Sequence, residues 1–174
     1  MTTKQGAQSL KKIVLLIIAI GAAVWYFDIG RKMTEASIRE SYQQQLDALQ
    51  RFDAEPLCAA LASDYTATVT TRGSGAAPQS KNKSEACSEL ARSLGRMKTL
   101  SERTGGMLEP DYDFDIQSIT LSPDRKLATV EIDSAMRLGD MTLSRGHSIE
   151  HLIRRNGRIL HADSQDTVWV YRPQ

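Results

Sequence analysis

The C-terminal part of the chain, from Pro110 to Val170, is built of four long runs of alternating residues separated by short turn signals. "YDFDIQSITL" alternates in one phase through Ile116 and in the other from Ile119, which predicts a bulge at Gln117-Ser118. "SPDRK" turns the chain. In the next run Ala128, Val130, Ile132, Ser134, Met136 and Leu138 share one face, and Thr129, Glu131, Asp133 and Arg137 the other. Gly139-Asp140 makes a second turn. Asn156-Gly157, a pair that tolerates the positive φ of a two-residue hairpin loop, makes the third. Strands joined by such short connections lie side by side as an antiparallel sheet. One face of that sheet must then be covered.

Helices earlier in the chain supply the cover. From Thr34 to Phe52 the residues Ile38, Tyr42, Leu46, Leu49 and Phe52 recur at helical spacing, with Thr34 as N-cap. Asp53 caps a short second helix with Pro56 in its first turn, where a missing N–H does no harm. "DYTATVTT" reads as a strand from Tyr65 to Thr71, and "RGSGAAPQSKN" as a surface loop. Asn82 and Glu85 form a capping box for a third helix, whose stripe is Cys87, Leu90, Leu94 and Met97. The fold class is therefore α+β: three helices packed on a curved antiparallel sheet, over residues 34–172.

Ahead of this domain lies an uncharged apolar run from Ile13 to Phe27, framed by Lys11-Lys12 and Arg31-Lys32. As a helix it rises about 22 Å, and extension to Ile29 with snorkelling lysines brings it near the lower limit for a bilayer crossing. Trp25 and Tyr26 sit where amphipathic rings favour the headgroup layer. The sequence thus predicts a tail over 1–12, a single crossing over 13–29, and a soluble domain beyond it. The alternative is a cleaved signal peptide, for which "AIGAA" offers small residues although the apolar run continues through bulky Trp25, Tyr26 and Phe27. The basic residues before the run keep its front end cytoplasmic, so the domain faces the periplasm from the inner membrane. In that oxidising compartment Cys58 and Cys87, on core-facing sides of neighbouring helices, are expected to pair as a disulfide.

The formal net charge of +1, with signs mixed along the chain, argues against a nucleic-acid partner. Two cysteines alone cannot close a structural zinc site, and no phosphate-binding loop or nucleophile elbow occurs; no cofactor or metal is expected. The histidines need closer reading. Strict alternation outward from Asn156-Gly157 pairs Arg155 with Arg158, Ile153 with Leu160, His151 with Ala162 and His147 with Asp166. His147 and His151 then stand about 13 Å apart, too far to share a metal. His161 falls on the opposite face, beside Leu152 and near Glu150. One pair survives, His147 with Asp166: a polar pair satisfying itself near the end of a sheet or, in the alternative, an oriented general base.

The stretches "YQQQLDALQRFDAEPLCAALASDYTATV" and "LIRRNGRILHADSQDT" resemble the nuclear transport factor 2-like superfamily, with its polyketide-cyclase-like and ketosteroid-isomerase-like members. The resemblance covers Glu35 to Tyr171 as a pattern of elements. It implies a cone-shaped domain with a cavity at its open end. With one crossing in front, the layout is also similar to the periplasm-facing core component of secretion systems. The resulting expectation is a non-enzymatic, membrane-anchored assembly module that docks with other envelope proteins. The alternative is a cavity that binds or isomerises a small apolar molecule.

Overall fold

The computed structural model describes residues 3–24, 26, 32–73 and 76–171, with side chains from residue 13 onward. The chain forms two units, Met1–Lys32 and Met33–Gln174. In the first, helix α1 spans Thr3–Val24. Its described large apolar side chains lie between 48% (Val14) and 65% (Leu15) exposed. The expected crossing over 13–29 is not supported: no helix among the described residues is long and apolar enough to cross a membrane. The described apolar part, Ile13 to Val24, rises only about 18 Å against a hydrocarbon core of about 30 Å. The side chains of Lys11, Lys12, Trp25 and Arg31, assigned to the membrane interface, lie outside the described residues; Tyr26 is exposed.

The second unit begins with α2, Glu35–Gln50. Thr34 and Ser37 cap it reciprocally, Ser37 N–H donating to Thr34 Oγ1 at 3.1 Å and Thr34 N–H to Ser37 Oγ at 3.0 Å. Helix α3 follows as Ala54–Ala59, with Asp53 accepting from the Glu55 N–H. Strand β1 is Leu61–Arg72 and β2 is Gln79–Asn82. Helix α4, Lys83–Arg103, starts at the expected box of Asn82 and Glu85. Strands β3 Pro110–Leu121, β4 Leu127–Leu138, β5 Met141–Arg155 and β6 Arg158–Val170 complete the chain.

The six strands form one unclosed sheet in the order β2-β1-β6-β5-β4-β3, antiparallel except where β1 runs parallel to β6. Strand β2 corrects the loop read over "RGSGAAPQSKN". Its polar residues pair with Thr66–Val69 through the backbone, so no hydrophobic alternation marks it. The bulge in β3 lies where the phase of the sequence changes, between Ile116 and Ser118. The third turn has the backbone its residues invite, with φ of 51° at Asn156 and 76° at Gly157.

The inner face of the sheet carries Ala128, Val130, Ile132 and Leu152, which bury Met33, Ile38 and Tyr42 against them. Met33, Ile38, Leu152 and Val130 are the largest fully buried side chains; each contributes roughly 1.5–3 kcal/mol by leaving water. A second cluster, Ala48, Leu57 and Leu94, joins α2, α3 and α4. There Cys58 and Cys87 are disulfide-bonded, with their Cα atoms 5.5 Å apart, and tie α3 to α4.

Candidate functional site

The chemistry of this domain depends on one extra residue in β6. Arg155 faces Arg158, Ile153 faces Leu160 and Leu152 faces His161, as a two-residue turn requires. The next pair is His151 with Asp163, which leaves Ala162 as a bulge. Every side chain of β6 from Asp163 onward therefore lies on the face opposite to that given by strict alternation. His147 stands opposite Thr167, and Asp166 stands opposite Ser148. The expected His147–Asp166 pair does not form: the two lie on opposite faces of the sheet.

The inner face is the one that seemed less apolar in sequence. Leu152 is 1% exposed and His161 5%, whereas Ile149, beside the outer histidines, is 36% exposed. His147 is on the outer surface, its Nδ1 2.8 Å from Asp133 Oδ1 and its Nε2 3.5 Å from Glu131 Oε1. His151 pairs there with Asp163 at 2.6 Å. A shallow depression of about 540 Å³ on that surface is bordered by Asp113, Asp133, Arg145 and Trp169. No group of three or more His, Cys, Asp or Glu among the described residues is arranged to hold a metal ion.

On the inner face the bulge gathers groups that alternation would have separated. Glu150 stands opposite Ser164, two rungs from the Leu152–His161 pair and on the same face. Glu150 Oε2 accepts from the Tyr42 hydroxyl at 2.6 Å and lies 2.7 Å from His161 Nδ1. His161 Nε2 lies 2.9 Å from the Gln45 amide nitrogen, and its ring meets that of Tyr42 edge-on at 5.7 Å between centroids. With the Gln45 –NH₂ as donor, His161 is a neutral imidazole that donates through Nδ1 to Glu150. The opposite amide orientation suits an imidazolium donating from both nitrogens. Helix periodicity explains the α2 contribution. Tyr42 lies on the buried stripe and reaches Glu150 on β5, and Gln45, three residues on, reaches His161 on neighbouring β6.

A second chain of hydroxyls lies alongside. Ser164 Oγ donates to Asp166 Oδ2 at 2.8 Å, and the Tyr65 hydroxyl is 2.9 Å from Ser164 Oγ. With Asp166 ionised, Ser164 spends its one proton on the carboxylate and Tyr65 is the donor in its own contact; with Asp166 protonated, either hydroxyl can donate. Burial pushes Asp166 above the usual range; the Ser148 and Ser164 hydroxyls partly offset this, and the negative Glu150 adds to it. Glu150 goes the other way. Burial raises it, but His161 and the donors from His161 and Tyr42 prevail and hold it below its ordinary value. The Tyr65 phenol is pushed up to about 12, chiefly by burial. Tyr42 is pushed higher still, by burial and by the carboxylate it serves.

Two carboxyl groups on neighbouring strands thus differ in kind. Glu150 is an ionised, satisfied part of the core. Asp166 is half-buried, has a raised proton affinity, and faces a part of the sheet where Tyr112, Phe114, Ser134, Met136 and Val168 are also only half-buried. Gly146, between Ser134 and Val168, leaves room there: a Cβ at this position would stand 2.5 Å from Ser134 Oγ. Tyr42 is read from sequence as an inward-facing residue, but the role of its hydroxyl is not. Glu150 and His161 were legible as neighbours, on a face that seemed turned to solvent.

No family model and no curated protein matches this chain. Solved structures do. A conserved protein from Planctomyces limnophilus superposes with a TM-score of 0.56 at 16% identity, covering 79% of this chain and 97% of that one. An NTF-2 like protein of unknown function from Silicibacter pomeroyi gives 0.56 at 11% identity, covering 78% and 99%. A domain of unknown function with a cystatin-like fold from Nostoc punctiforme gives 0.53 at 15%, covering 78% of each. The fold is nuclear transport factor 2-like, as the sequence resemblance implies.

Proposed function

We propose that the domain binds a small, largely apolar molecule on the inner face of its sheet, and that Asp166 exchanges a hydrogen bond or a proton with that molecule's one polar group. The observation that carries this reading is the half-buried carboxyl of Asp166 on the inner face, hydrogen-bonded to Ser164 and held above its ordinary proton affinity by burial. It is backed by Ser148, Ser164 and Tyr65 and bordered by half-buried Phe114, Met136 and Val168. Apolar walls with few, converging polar groups are the usual composition of a small-molecule site. A carboxyl whose proton affinity is raised by burial suits acid–base work, as in an isomerase-like reaction. The test uses 2-naphthol and 1-tetralone as probes of the full chain, followed by fluorescence and thermal shift. Saturable binding that Asp166→Ala weakens about tenfold or more, in a variant that remains folded, supports the reading. Equal binding by both proteins, or none by either, overturns it.

One observation favours a second reading. The exposed apolar side chains of Ile13 to Val24 need a cover that the helix itself does not supply. In this reading residues 13–29 hold the domain at the bacterial inner membrane, facing the periplasm, where it docks with other envelope proteins. The reading requires the residues after Val24 to continue the apolar stretch. A reporter active only in the oxidising compartment, fused after Gln174, gives a signal if it holds; a signal from a cytoplasmic reporter alone contradicts it.

A further inference from the structure

Helix α2 presents a polar stripe beside its buried one, and that stripe does not simply face solvent. Ser41, Gln44 and Gln45 lie along a cleft of about 370 Å³ whose far wall is the β5–β6 hairpin, with Arg154, Arg158 and Ile159. Pro56 and Ala60 of the α3 region close one side with apolar surface. Its volume corresponds to about a dozen waters at liquid density, enough for a ligand of several carbons. Glu40 also borders it, so the lining carries charges of both signs.

Hydrogen-bonding capacity is concentrated here. Among the described residues the side chains of Glu40, Ser41 and Gln44 have no hydrogen-bond partner within the chain. Arg158, at the cleft's border, donates to Ala59 O through one NH₂ at 3.3 Å. Gln45 divides this cleft from the inner-face network, its amide nitrogen 2.9 Å from His161 Nε2.

We infer that this cleft is a second binding site, for a small hydroxylated carboxylate such as a sugar acid or hydroxy acid. The ligand's carboxylate lies on Arg158, where the planar fork of a guanidinium matches it. Its hydroxyl groups donate to Glu40 and exchange hydrogen bonds with Ser41 and Gln44. Its carbon chain lies on Pro56, Ala60 and Ile159. Glu40 disfavours a compact, multiply charged anion and favours a ligand with donors of its own. Occupation draws on the Gln45 amide, so the partner of His161 Nε2 changes when the cleft fills. The site is separate from the inner face around Asp166, and its success or failure leaves that proposal untouched.

The full chain, labelled with ¹⁵N at histidine, is titrated with D-gluconate and L-tartrate, and in parallel with sulfate and with uncharged glucitol. The expected result is saturable binding of a carboxylate probe, with the His161 ring nitrogens shifting in step with occupancy and those of His147 staying in place. Arg158→Ala, at an exposed hairpin tip, weakens binding about tenfold or more. Ser41→Leu, which fills the cleft from the helix side, abolishes it and serves as the test should Arg158→Ala not fold. Sulfate binding as well as gluconate makes the cleft a plain counter-ion site and overturns the inference. So does the absence of saturation by either carboxylate probe at about 10 mM, or binding that leaves the His161 signals unmoved.

Discussion

Replacing Tyr42 by Phe removes one oxygen atom from the core. The ring packing is retained, because Tyr42 is 4% exposed and its ring still meets His161 edge-on. What is lost is the 2.6 Å hydrogen bond to Glu150 Oε2. A hydrogen bond to a charged group contributes about 1.5–3 kcal/mol, against about 0.5–1.5 for a neutral one. The Glu150 side chain is only 18% exposed, so water replaces the lost donor poorly. Tyr42→Phe should therefore destabilise the domain by about 2 kcal/mol at neutral pH, lowering Tm by roughly 4–8 °C. The pH dependence gives a second signature. Glu150 has a folded-state proton affinity below its ordinary value of 4.5, so its stabilisation is present above that value and is lost as pH falls through the folded-state one. The deficit of the variant should shrink over the same acid range, because a protonated Glu150 no longer rewards the donor. Urea unfolding of both proteins between neutral and acid pH measures it. A deficit below about 0.5 kcal/mol, or one that stays constant with pH, would refute the assignment of Glu150 as a buried carboxylate held by Tyr42 and His161.

Asp166→Asn should behave in the opposite way. Its raised proton affinity makes the folded state most stable when Asp166 is protonated, and that stability declines as pH rises from 3.8 through the folded-state value. At neutral pH the asparagine variant should be as stable as the wild type or more so, by urea unfolding; a clear loss counts against a strained carboxylate. Tyr65→Phe, which removes a neutral contact to Ser164, should cost about 0.5–1.5 kcal/mol, independent of pH below neutrality, in the same experiment. Replacing both Cys58 and Cys87 by Ser releases a link between residues 29 apart and should destabilise by about 3.5 kcal/mol, read as a lower urea midpoint. His147→Ala should change stability by less than about 1 kcal/mol, since its carboxylate partners are 43% and 55% exposed and solvent screens the pairs.

Much of the fold is legible in the sequence because local signals and periodicity agree. Thr34, Asp53 and Asn82 each precede an amphipathic run and each caps a helix, and the phase change at Gln117 marks a real bulge. The second bulge leaves no such mark. Around Ala162 the β6 sequence is "LHADSQD", which has no apolar alternation whose phase could be seen to change. On β5 the residues Ile149 and Ile153 make the outer face look like the inner one, while Gly146, Ser148 and Glu150 make the inner face look polar. The error has a physical origin: the inner face carries polar groups because Tyr42, Gln45 and Tyr65 arrive from other elements to satisfy them, and a single strand does not record that. Strand β2 escaped for a related reason, since an edge strand held by backbone pairing to β1 and by the Lys81–Glu89 ion pair needs no apolar pattern.

The central claim is that the bulge at Ala162 turns Asp166 inward, beside Ser148, Ser164 and Tyr65, and so creates a carboxyl of raised proton affinity on the inner face. The most direct measurement is the titration of the Asp166 carboxyl carbon by ¹³C NMR in the full chain, with Asp166→Asn to assign the signal. The account predicts a midpoint above the ordinary 3.8 of an aspartate, moving towards that value in a variant that deletes Ala162 and restores strict alternation. A midpoint at or below 3.8 in the wild type, or no change when Ala162 is deleted from a protein that still folds, would contradict it.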